Sequence, residues 1–107
     1  MGISSHATLY NDTLDLVPLF NCLGDESRIK ILTLLSDHGP MNVTQITEQM
    51  DLSRPAVSHH LQQLKIAGFV DFKKRGTERF YRIKFLWYLE KLQKWTEDFK
   101  EECRNLE

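Results

Sequence analysis

A mainly α-helical domain carrying one β-hairpin is the fold class that this sequence predicts. Three observations point there. Apolar residues recur at helical spacing over most of the chain, and the period changes to two between Phe69 and Phe85. The 107 residues are 41% hydrophobic and 27% charged, which suits one small globular domain with a core and excludes a disordered tail. At this length the core is small, and pairing with a second copy would extend it.

The first helix falls on Asn11–Leu23, where Leu14, Leu16, Val17, Leu19, Phe20 and Leu23 are dense enough for a buried element. Pro18 interrupts it, because proline has no amide donor and clashes with the preceding turn. Two outcomes are open: a kink at Pro18, or a helix that starts near Asp15 with Pro18 in its first turn. A second helix opens at Asp25, a good N-cap, with Glu26 complementing the positive helix end. Its apolar face is Ile29, Leu32 and Leu35, flanked by Ile31 and Leu34, and His38-Gly39-Pro40 stops it.

Asn42 begins a short third helix, with Gln45 three residues on as in a capping box, and the helix runs to about Met50. After a tight turn at Asp51-Leu52, Ser53 caps a fourth helix that tolerates Pro55 in its first turn and ends at Gly68. Phe69–Lys73 and Arg79–Phe85 then alternate apolar and charged residues as two strands, with Val70 and Phe72 on one and Tyr81, Ile83 and Phe85 on the other. Lys74-Arg75-Gly76-Thr77-Glu78 is the loop between them. Leu86–Leu106 reads as a long final helix. The order is helix, helix, helix-turn-helix, hairpin, helix, with no repeat and no linker, so residues 1–107 read as a single domain.

Two short helices joined by about three residues, the second ended by glycine and followed by a basic hairpin, describe a winged helix-turn-helix. In that arrangement the second helix enters the DNA major groove and the hairpin follows the backbone. Charge supports it. The net charge is −1, but Ser53–Phe85 holds eight basic residues against Asp71 and Glu78, a balance of +6 that leaves −7 elsewhere. A polyanion feels the local field within about 8–10 Å, not the net charge.

On a helical wheel Val57, Leu61 and Leu64 share the inner face of the fourth helix. The opposite face carries Pro55, Ala56, His59, Gln62 and Gln63, with Ser58 on its edge. Gln62, Gln63 and His59 can donate to and accept from base edges, while Ser53, Arg54 and Ser58 suit phosphates. Lys73, Lys74, Arg75 and Arg79 in the hairpin, with Thr77, read either as a solvated turn or as a phosphate clamp, and the recognition helix just upstream favours the clamp. His60, on the flank of the apolar stripe, reads as a packed, hydrogen-bonded structural histidine.

The same sequence excludes other classes. No apolar run approaches the roughly 18 residues of a membrane span, and Met1–Leu9 lacks the layout of a signal peptide. Two cysteines make no disulfide scaffold, so a reducing cytoplasm is expected. No nucleophile–base pair, paired catalytic carboxylates or phosphate-binding glycine loop is present, so no catalytic residue, enzymatic activity or cofactor is expected. A winged helix serving only protein interaction is the rival reading, and it would show an apolar patch where the polar outer face stands.

Three separated motifs carry a family resemblance. Leu23-Gly24-Asp25-Glu26-Ser27-Arg28-Ile29-Lys30-Ile31-Leu32 resembles the "L-x-D-x-x-R-x-x-I-L" opening of the ArsR/SmtB-type bacterial repressors. Ser53-Arg54-Pro55-Ala56-Val57-Ser58-His59-His60-Leu61, then Leu64 and Ala67-Gly68-Phe69-Val70, is similar to that family's recognition helix and its exit. Gly76 with Phe80-Tyr81-Arg82-Ile83 is similar to its wing. The match runs from about Leu19 to Phe85. It implies a homodimeric winged-helix repressor in a bacterial or archaeal cytoplasm, placed on the nucleoid when bound to a double-stranded operator and released by a ligand, often a metal ion. A two-fold dimer would call for an imperfect inverted repeat. Within the match Arg28 reads as structural, held in an ion pair with a carboxylate.

The resemblance also locates effector sites. Metal-sensing members place Cys-x-Cys on the third helix, or Asp and His at the start of the last helix with His and Glu further along, or Cys on the recognition helix. Here Met41–Ile46 has no thiol, Leu86–Glu107 has no histidine and the recognition helix has no cysteine, so no metal ligand is assigned.

Tyr88, Leu92, Trp95, Phe99, Cys103 and Leu106 form a near-heptad seam on the last helix. In the family the first and last helices build the dimer, which implies an interface of Leu16, Phe20, Leu92, Trp95 and Phe99. It would also bring Cys22 towards Cys103. Some relatives sense persulfides or oxidants with a thiol pair, although the partner there lies on the second helix, at a position near Thr33 here. Cys22 and Cys103 therefore read either as a redox switch or as packing. A non-thiol effector or an atypical metal site is the alternative.

Overall fold

The computed structural model describes residues 3–106. The start of the Met1–Leu9 stretch and Glu107 lie outside the described residues. In chain order the elements are α1 (Ile3–Asp15), α2 (Val17–Leu23), α3 (Glu26–His38), α4 (Val43–Glu48), α5 (Arg54–Ile66), β1 (Val70–Arg75), β2 (Glu78–Ile83) and α6 (Leu86–Leu106). They fall into two compact units, one of residues 22–85 and one formed by the segments on either side of it.

In the unit of residues 22–85, side chains that leave few alternatives set the helix starts. The Asp25 carboxylate accepts the Arg28 N–H at 3.0 Å. At α4 the capping box is complete: the Gln45 N–H donates to Asn42 Oδ1 at 2.8 Å, and the Asn42 N–H donates to Gln45 Oε1 at 2.9 Å. Ser53 Oγ accepts the Ala56 N–H at 3.3 Å, with Pro55 in the first turn of α5. The exit from α5 is a Schellman closure, in which Phe69 N–H reaches Leu64 O at 2.9 Å and Gly68 N–H reaches Lys65 O at 3.1 Å. Gly68 sits there at φ +85°, a conformation that a side chain would strain.

The strands pair antiparallel with Val70 opposite Ile83, Phe72 opposite Tyr81 and Arg75 opposite Glu78. The loop is thus two residues, Gly76-Thr77, and not the five from Lys74 to Glu78. Gly76 at φ +62° takes the first turn position, as a type II′ hairpin needs. Apolar alternation stops at Phe72, so the ladder beyond it left no hydrophobic signal. On an exposed ribbon, Lys74, Arg75 and Glu78 can keep their backbone bonds without burying their side chains. Met41 and Tyr81 exchange backbone bonds at 3.0 and 2.8 Å, which adds a short third edge to the hairpin.

The core of this unit is Ile31, Leu32 and Leu35 of α3, Ile46 of α4, Val57, Leu61 and Leu64 of α5, and Phe69, Val70 and Tyr81, all buried. Each fully buried side chain of this size contributes about 1.5–3 kcal/mol.

The other unit resolves the question at Pro18. The helix breaks at Leu16, and Pro18 lies in the first turn of α2. The helix before it, α1, starts well upstream of Asn11, in a stretch where Ile3, Ala7, Leu9 and Tyr10 alternate with Ser, His and Thr. Trp95 of α6 donates from Nε1 to Thr13 Oγ1 at 2.8 Å. Asp12, which is 8% exposed, receives Lys94 at 2.9 Å and Lys91 at 3.2 Å, while Lys91 also reaches Asp15 at 3.0 Å. The Lys94 hydrogen bond, followed by Lys91, holds the Asp12 carboxyl below its ordinary range. Trp95 stacks edge-on to Phe20 at 5.6 Å and lies 4.8 Å from Phe99. Among the described residues, no helix is long and apolar enough to cross a membrane.

Candidate nucleic-acid interface

With Val57, Leu61 and Leu64 buried, α5 must turn its other side outward. Pro55, Ser58, His59, Gln62 and Gln63 are all exposed there, as are Ser53 and Arg54 at its start. Between this face, the start of α4 and the hairpin lies an open cleft of about 1010 Å³. Of the residues singled out in the sequence, Arg54, Ser58, Gln62, Thr77 and Arg79 line it. Pro55, His59, Gln63, Lys73, Lys74 and Arg75 are exposed outside its lining, and the Ser53 hydroxyl is engaged as the cap of α5.

Short-range bonds fix the cleft walls. Arg54 Nη1 donates to Thr44 Oγ1 at 2.8 Å, joining the two helices of the motif. Asn42 Nδ2 donates to Glu78 Oε1 at 3.2 Å, joining the cap of α4 to the hairpin tip. At the base of the hairpin Arg82 meets Asp71 at 2.7 Å, and this bond holds the Asp71 carboxyl below its usual range. Two further hairpin cations lean on rings. Arg75 lies 5.3 Å from the Phe80 centroid, and Arg79 lies 4.7 Å from that of Phe72.

Lys65, Phe72 and Thr44 also line the cleft, and sequence reasoning did not single them out. Lys65 had a usable signal, being three residues beyond Gln62 and seven beyond Ser58 on one helical face. Phe72 read only as an apolar position of the first strand beside Val70, and nothing in the pattern tied Thr44 to Arg54.

Away from the cleft, Arg28 approaches Asp25 at 3.7 Å as expected, and the Arg28 backbone N–H lowers the pKa of that carboxyl. His60 is half-buried, but its Nδ1 is buried with no hydrogen-bond partner, so it packs without the expected bond. Among the residues placed at a dimer seam, Leu16 is fully buried within the chain and has no surface left to offer. Phe20 and Phe99 are 40% and 38% exposed, while Leu92 and Trp95 are half-buried. Cys22 is buried, and burial pushes its thiol pKa up. Cys103 is exposed on α6, beside a groove lined by Trp95 and Phe99.

Residues 25–71 match the family model described as "Bacterial regulatory protein, arsR family". The uncharacterized HTH-type transcriptional regulator MJ1325 of Methanocaldococcus jannaschii is 43% identical over 65 residues, 61% of this chain and 73% of that protein. The cadmium resistance transcriptional regulatory protein CadC of Listeria innocua is 37% identical over 91 residues, 85% of this chain and 76% of that one. Another relative, an arsenic resistance regulator of Pseudomonas putida, is matched over 51% of its own length. Among solved structures, an ArsR-like transcriptional regulator from Rhodococcus sp. RHA1 superposes with a TM-score of 0.76 at 26% identity, covering 99% of this chain and 90% of that one.

Proposed function

The chain belongs to the arsR family of bacterial regulatory proteins, and from that premise we propose that it is a homodimeric repressor that binds an imperfect inverted repeat in double-stranded DNA and leaves it when an effector acts. One observation carries the reading. The outer face of α5 and the hairpin together wall a wide cleft whose cations, Arg54, Lys65 and Arg79, lie exposed along its sides. Ser58 and Gln62 sit between them, where a groove of bases would pass. Such an array holds a backbone by charge and reads bases by hydrogen bonding. The chain acts by binding and not by catalysis, in the cytoplasm where its operator lies.

Phe20, Leu92, Trp95 and Phe99 form the seam with a second copy, which would place two recognition helices on one face of the duplex. Effector sensing falls to the thiols. Cys103 is open to an oxidant or persulfide, while Cys22 is shielded and its thiol pKa is raised, so Cys103 reacts first. Fluorescence anisotropy with mixed-sequence duplexes at increasing salt tests the DNA reading. Affinity should fall steeply with salt, and binding indifferent to salt would overturn it.

A further inference from the structure

Resting on the DNA-binding reading above, we infer that Phe72 is a positioning residue for the DNA backbone: its ring holds Lys65 of α5 and Arg79 of the hairpin at the floor of the cleft, so that both cations meet the same stretch of phosphodiester. Lys65 Nζ lies 5.3 Å from the Phe72 centroid and Arg79 Cζ lies 4.7 Å from it. These are distances at which a ring quadrupole attracts a cation.

Several cations elsewhere meet a carboxylate instead. Arg82 is neutralised by Asp71, and Lys91 and Lys94 by Asp12. Among the described residues, no carboxylate lies in ion-pair range of Lys65 or Arg79. Glu78 also lines the cleft, but its carboxylate is engaged by Asn42. Two like charges gathered on one aromatic surface, neither of them ion-paired, leave a field that an anion complements. The platform is itself fixed, because Phe72 is half-buried, packs on Tyr81 at 5.3 Å and is paired with it across the strands. Long basic side chains that are already ordered lose less freedom when a phosphate arrives. The ring thus links the recognition helix to the wing through the anion they share.

The test uses the full chain and a fluorescent mixed-sequence duplex at low salt, where binding is almost wholly to the backbone. Phe72→Leu should weaken binding about three- to tenfold, on the scale of two exposed cation–π contacts. In that background Lys65→Ala and Arg79→Ala should cost less than they do beside the intact ring, whereas Phe72→Tyr should restore wild-type coupling. Placing 3,4,5-trifluorophenylalanine at position 72 preserves the shape and drains the ring charge, so it should lose affinity with an unchanged melting temperature. This variant also decides the matter if Phe72→Leu folds poorly. A fluorinated protein that binds as tightly as wild type, or cation substitutions that cost the same with and without the ring, would overturn the inference and leave the DNA reading standing. A wild-type protein that ignores the duplex would overturn both.

Discussion

Arg54 donates from Nη1 to Thr44 Oγ1 at 2.8 Å, so the first residue of α5 is tied to the helix that precedes it. The bond both braces the two helices against each other and aims a guanidinium along the cleft. A helix N-terminus is already a favourable place for a phosphate, and a fixed arginine beside it strengthens that preference.

Arg54→Ala should therefore weaken binding to all duplexes alike and flatten the slope of log K against log salt by about one. Lys74→Ala and Arg75→Ala at the hairpin should behave in the same way. Thr44→Val retains the charge and removes only its tether, so affinity should drop while the slope is preserved. Salt titrations by anisotropy read both quantities.

Gln62 and His59 face outward from α5 and have no hydrogen-bond partner among the described residues. Replacing either by Ala should relax sequence preference and leave the salt slope unchanged. The loss of discrimination at the contacted position should be about 1–3 kcal/mol. Competition between operator and mixed-sequence DNA would show it.

Trp95 bonds to Thr13 and stacks on Phe20, and Phe99 extends its ring surface outward. Trp95→Ala should weaken the dimer and operator binding together. Phe99→Ala should weaken the dimer with less harm to the fold, because Phe99 is the more exposed ring. Burial of such rings is worth roughly 2–3 kcal/mol each. Sedimentation showing a dimer of unchanged affinity in both variants would remove this face from the interface.

Asp12 sets a pH dependence of known sign. Its carboxyl titrates below the ordinary range in the folded chain, chiefly through Lys94 and then Lys91. Its stabilising contribution is therefore complete above the unfolded value of about 3.9 and is lost as pH falls through the lower folded value. Thermal melts should show stability dropping on acidification below that point. Asp12→Asn should be less stable at neutral pH and lose less on acidification.

Cys103 is exposed and Cys22 is not. Diamide or polysulfide should release wild-type protein from DNA and leave Cys103→Ser bound. Equal release of both, or of neither, would confine the cysteines to packing.

Much of this fold was legible because its caps are chemical. Asp25, Asn42 and Ser53 were each readable as helix starts from a short polar side chain and its followers, Glu26, Gln45 and Pro55 in turn, and Gly68 as the stop of α5. The inner face of α5 followed from the spacing of Val57, Leu61 and Leu64. What escaped was structure whose apolar signal is thin. Upstream of Asn11 only Ile3, Ala7 and Tyr10 mark a helical spacing among polar residues, and it was not read as α1. The hairpin ladder beyond Phe72 is built largely of charged residues, whose strand pairing lies in the backbone. The cleft was half legible. Arg54, Ser58, Gln62 and Arg79 announce themselves by type and by face, but a tether such as Thr44–Arg54 joins residues ten apart across a turn. The dual role of Phe72 depends on which cations reach its ring, and that is a property of three dimensions.

The central claim is sequence-specific binding by a two-fold dimer, and selection from a pool of randomised duplexes tests it most directly. Repeated binding and amplification with the full-length protein at physiological salt should enrich an imperfect inverted repeat whose half-sites lie about 10 bp apart or a multiple of that. Enrichment of a single unpaired half-site, or of nothing above the starting pool, would contradict it.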